Sequence, residues 1–71
     1  MIEVYPIGAD VQFGPHSGTV SRIQINPGEA IVYEVGFWSS DGLWHEVWLH
    51  DFMVSSAAKK EKIGYSRKGG V

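Results

Sequence analysis

The stretch from Trp38 to His50 holds the side chains best suited to chemistry: Trp38, Trp44 and Trp48, the acids Asp41 and Glu46, and the imidazoles of His45 and His50. Large aromatics interleaved with carboxylates are the chemistry of recognition, because indoles bury much area and keep a polar N–H for orientation. A metal would need more. On an extended strand His45 and His50 point to opposite faces, and no third ligand stands at a spacing that closes a tetrahedral site. Covalent chemistry lacks its groups as well. The chain has no cysteine, no Ser/His/Asp arrangement and no paired carboxylates. Gly14-Pro15-His16-Ser17-Gly18 reads as a turn, since no strand-to-helix junction follows it to cradle phosphate. His16 sits in that turn without a chemical neighbour, and His45 reads as a histidine at the edge of the core, bonded to backbone. These residues point to a non-enzymatic binding protein with no metal and no cofactor.

The elements that must position these side chains are strands. Glycine and proline divide the first 56 residues into short runs rich in β-branched and aromatic residues, without a helical stripe. The runs predict strands at 9–13, 19–25, 31–38 and 43–49, a short helical turn at His50-Asp51-Phe52, and a brief last strand at 53–55. Asp41-Gly42 supplies the positive φ of a tight hairpin between the third and fourth strands. Alternation puts Ile31, Tyr33, Val35 and Phe37 on one face of the third strand. It puts Leu43, His45, Val47 and Leu49 inward on the fourth, leaving Trp44, Glu46, Trp48 and His50 outward with Trp38. On the second strand Val20, Ile23 and Ile25 all point inward only if a bulge falls near Ser21 and Arg22.

The charge divides unevenly. Residues 1–56 carry Glu3, Asp10, Glu29, Glu34, Asp41, Glu46 and Asp51 against Arg22 alone, whereas 57–71 carry Lys59, Lys60, Lys62, Arg67 and Lys68 against Glu61. An acidic body is a poor footprint for nucleic acid, so any polyanion contact falls to those five cations. Without an apolar face, 57–71 reads as a flexible basic tail, at most weakly helical near 57–62.

The order of these parts resembles the SH3-like small barrels, among them Tudor, chromo-like and KOW-type modules. Ile7-Gly8-Ala9-Asp10-Val11 is similar to their first strand, and Gly18-Thr19-Val20 with Ile23 to their second. Tyr33-Glu34-Val35-Gly36-Phe37 followed by Asp41-Gly42 is similar to their central hairpin, and Leu49-His50-Asp51-Phe52-Met53-Val54 to their closing segment. The resemblance spans residues 7–55 and implies an all-β, five-stranded SH3-like barrel over 1–56. It also raises two ligand readings. A cage for a methylated ammonium would draw on Tyr33, Phe37, Trp38, Trp44 and Trp48, but the first two alternate inward and the tryptophans spread over two strands. The plasmid-type dihydrofolate reductases, SH3-like barrels that build one pore from a tetramer, are similar in layout. The comparable stretch here, Glu46-Val47-Trp48-Leu49, lacks the glutamine and tyrosine that line that pore, which leaves a homotetrameric reductase a remote alternative.

A chain of 71 residues and 7.9 kDa buries only about 60% of its unfolded surface, and without cysteine it has no disulfide to compensate. Nothing approaches the roughly 20 apolar residues of a membrane span, and no leader-like segment opens the chain, which predicts a soluble, cytoplasmic protein, of a kind suited to a bacterial or phage reading frame. Exposed tryptophans on so small a body predict an interaction surface at Trp38, Trp44, Glu46 and Trp48, covered by a second copy of the chain or by another protein. The competing expectations are that the termini cover them, and that the protein is a nucleic-acid-associated accessory acting through its basic tail.

Overall fold

In a computed structural model the chain is described over residues 2–63. The fold is all-β. Six strands, β1 (Ile2–Val4), β2 (Asp10–Phe13), β3 (His16–Asn26), β4 (Ala30–Trp38), β5 (Trp44–His50) and β6 (Glu61–Ile63), form two antiparallel sheets. The larger has the order β2-β3-β4-β5, and the smaller pairs β1 with β6.

Each strand follows from its composition. β4, with the sequence AIVYEVGFW, is β-branched and aromatic nearly throughout and lies centrally, where both edges are paired. The tight turn into β5 is made by Ser39 to Leu43. Gly42 takes φ 81°, and the Asp41 carboxylate accepts from the Leu43 N–H (3.0 Å) and from the Ser39 hydroxyl. The register of β3 on β4 shifts between Val20 and Arg22. This is the bulge that the spacing of Val20, Ile23 and Ile25 requires, and it turns the Ser21 hydroxyl onto the Glu34 carbonyl (3.0 Å).

The core lies between the two sheets. Val4, Val11, Val20, Tyr33 and Val35 are fully buried, with Ile2, Leu49 and Val54 beside them. Tyr33 and Val35 face inward as their alternation requires. Leu43 does not: it lies in the turn before β5 and is 59% exposed, because the core ends before the hairpin does.

Three further expectations are corrected. The last strand at 53–55 is reduced to one bridge, in which Gln12 and Ser55 exchange backbone bonds of 2.7 and 2.9 Å. A 3-10 turn at Asp51–Met53 occupies the residues before it. The five strands expected become six among the described residues, in two sheets. Residues 61–63, expected in a flexible or weakly helical tail, form β6 and pair Glu61 with Val4 and Lys62 with Glu3. Residues 57–60 are described and form no helix, and the rest of the expected tail, 64–71, lies outside the described residues.

Candidate interaction face

The outward face of the β4–β5 hairpin carries the candidate site. Register pairs Trp38 with Trp44, Gly36 with Glu46, Glu34 with Trp48 and Val32 with His50, and all eight side-chain positions share that face. Trp38 is 70% exposed, and Trp44 and Trp48 are each 47% exposed. The termini do not cover them among the described residues.

The structure brings Trp38 and Trp44 together edge to face, with ring centroids 5.2 Å apart. Trp44 lies down across the hairpin over Gly36, where a Cβ would overlap its Cζ2. Its indole N–H donates to Glu46 Oε2 at 3.2 Å, so the carboxylate holds the ring on the glycine. Trp48 shares the face but stands further along β5, opposite Glu34. Beyond it His50 stacks on Phe52, an 85% exposed ring in the turn that follows. Phe52 was not singled out from the sequence, since a lone aromatic in a short turn carries no periodicity.

Glu34 is an acid pulled almost out of water, at 9% exposure. Its Oε1 accepts from Ser21 Oγ (3.1 Å) and forms an ion pair with Arg22, whose Nε lies 3.2 Å away, so the bulge that repairs the core also supplies both partners of this carboxylate. A groove of about 700 Å³ borders the Trp38–Trp44 pair. Asp10, Gln12 and Thr19 line it, and Ser56–Ala58 forms another part of its wall. No cage converges there: Tyr33 is buried in the core, and Phe37 packs on the opposite face with Phe13 (5.2 Å) and between the rings of His16 (5.4 Å) and His45 (5.6 Å). His16 therefore has aromatic neighbours. His45, expected to bond backbone, is exposed, stacks on Phe37 and has Nε2 3.8 Å from Asp41. Among the described residues no group of three or more metal-binding side chains converges.

Of the expected cations, Lys60 is committed within the fold. Lys60 donates to Asp51 Oδ2 at 2.9 Å and lies 5.0 Å from the centroid of the Tyr5 ring. Asp51 Oδ1 accepts from the Tyr33 hydroxyl (2.7 Å), which accepts from the Tyr5 N–H (3.1 Å). Burial raises the Tyr33 phenol above its ordinary value, and the Asp51 carboxylate beside it pushes the same way. This chain of contacts fastens the segment before β6 to β4, and its members lie too far apart in sequence for spacing to reveal. Lys59 is exposed, Lys62 lies opposite Glu3 on β6, and Arg67 and Lys68 lie outside the described residues. No helix among the described residues is long and apolar enough to cross a membrane.

No family model, curated protein or solved structure matches the chain.

Proposed function

We propose that the protein is a non-enzymatic interaction and assembly module whose outward β4–β5 face is covered by another protein surface, a second copy of the chain first among the candidates. The exposure of Trp38, Trp44 and Trp48 on that one face carries the reading. Indoles left half wet cost free energy that a partner recovers, and such residues anchor interface centres. The Glu46 bond to Trp44 and the Gly36 seat beneath it add to this, because a ring already held in place loses less freedom on binding. A small body with little core to spare gains most from such cover.

An SH3-like barrel remains the finer fold reading. It is supported by the bulge in β3, the tight β4–β5 turn, the 3-10 turn at Asp51–Met53 and the Gln12–Ser55 bridge, which brings the end of the large sheet back to β2.

The test is tryptophan accessibility. Acrylamide quenching of indole emission is expected to be strong in dilute protein and to fall as concentration rises, in step with the increase in mass. Quenching that stays strong while mass increases places the contact elsewhere and overturns the reading.

A further inference from the structure

We infer that two copies of the chain join edge to edge through β5, antiparallel about a two-fold axis at Val47, making one continuous eight-stranded sheet. This rests on the self-association proposed above but not on the burial of the aromatic face: it places one contact at the edge of β5, beside that face, which it extends and leaves open to a further surface.

β5 ends the large sheet, and among the described residues no strand pairs with its outer side. The direction of its backbone groups follows from the hairpin. The Ser39 N–H donates to the Leu43 carbonyl at 2.9 Å, and the Glu34 carbonyl faces β3, where it accepts from Ser21 Oγ. Bonding alternates along an antiparallel pair. His45, Val47 and Leu49 therefore turn their N–H and C=O toward β4, while Trp44, Glu46, Trp48 and His50 turn theirs to the free edge. Soluble proteins blunt such an edge with charged side chains, lysine above all, with proline or with a bulge, and the one carboxylate of β5, Glu46, is engaged by the Trp44 indole. β5, with the sequence WHEVWLH, has neither lysine nor proline, and its register on β4 runs without a shift from Val32–His50 to Trp38–Trp44.

The sequence of β5 also selects the register. Pairing about Val47 uses the whole strand and sets Glu46 opposite the partner's Trp48 and Trp44 opposite the partner's His50, with those outward-turned groups forming the hydrogen-bonded pairs. Pairing about Glu46 would set two carboxylates face to face, which is unfavourable. Pairing about His45 or Trp48 shortens the overlap. About Val47, each carboxylate meets an indole directly and has the partner's His50 on one diagonal and the partner's Glu46 on the other, so the two like charges are moved from directly opposed to diagonal, and the aromatic faces of the two copies become continuous.

Two variants of the full chain test this. The protein has no cysteine, so Val47→Cys yields only an intermolecular disulfide. Directly opposed residues of a non-hydrogen-bonded pair lie about 4.5 Å apart at Cα, within disulfide range. Val47→Cys is expected to oxidise to a covalent dimer and His45→Cys to remain uncrosslinked. Glu46→Pro removes an N–H that serves only the free edge. It is expected to keep the circular dichroism of the native chain and to weaken the dimer on the order of thirtyfold, the equivalent of two lost inter-strand bonds, while Glu46→Ala stays dimeric. A dimer that survives Glu46→Pro, fails to crosslink at Val47 and dissociates with Trp48→Ala overturns the edge pairing alone. A chain that is monomeric in every form overturns the edge pairing together with the self-association beneath it.

Discussion

Trp44 lies across Gly36, its six-membered ring filling the space that a side chain at residue 36 would need. The most conspicuous aromatic pair of the surface thus depends on the absence of one methyl group. Gly36→Ala is expected to lift the indole off the sheet and to destabilise the fold by about 1–3 kcal/mol, the usual cost of overpacking. A lower melting temperature together with a red-shifted tryptophan emission is the expected signature. A variant with unchanged emission would show that the ring does not rest there.

Val35 is fully buried at the centre of β4. Val35→Asp places an unpaired carboxylate in the core and is expected to cost several kcal/mol out of a total of about 5–15, which leaves the chain unfolded by circular dichroism. Trp48→Ala, on the opposite face, is expected to leave it folded. If Trp48→Ala unfolds the chain at every concentration, the faces of β5 have been assigned the wrong way round.

Tyr33 gives the fold an alkaline limit. Its phenol keeps the proton in the folded state at pH values where the unfolded chain has lost it, so its contribution is complete below the ordinary phenol value of about 10 and declines above it. Each pH unit beyond that point is expected to remove about 1.4 kcal/mol of stability through this group. Tyr33→Phe should be less stable at neutral pH, since it leaves the Tyr5 N–H without its acceptor, yet should lose less between pH values of about 10 and 11. Denaturant midpoints measured for both proteins at those pH values decide the point, and equal losses would contradict it.

Glu29 is the one non-glycine residue with positive φ among those described, at 62°, following Gly28 at 82° in the turn between β3 and β4. A side chain in that region pays about 1–2 kcal/mol. Glu29→Gly is therefore expected to raise stability by about 0.5–1 kcal/mol after the entropy of the added glycine is counted. A fall in the urea midpoint would show that the Glu29 side chain makes up for the strain.

Much of the large sheet was legible because its signals are local. Asp41-Gly42 announces its own turn, the alternation along β4 and β5 separates Tyr33 and Val35 from the tryptophans, and the uneven spacing of Val20, Ile23 and Ile25 requires a bulge. The small sheet was not legible. Ile2–Val4 and Glu61–Ile63 are too short to show a period, and each becomes a strand only by meeting the other from the far end of the chain. The same holds for Lys60, which composition grouped with the basic residues of the C-terminal end and which the fold commits to Asp51. At the candidate site, sequence placed Trp38, Trp44, Glu46 and Trp48 on one face but could not show that Trp44 is pinned between Glu46 and Gly36.

Whether the tryptophan face is an assembly surface is decided by the solution mass of the full chain, measured by light scattering over a concentration range at low and high salt. Burial of aromatic surface resists screening, whereas contacts between exposed charges do not. The expected result is a defined dimer that persists in high salt. A monomer at every concentration and salt level would contradict the claim.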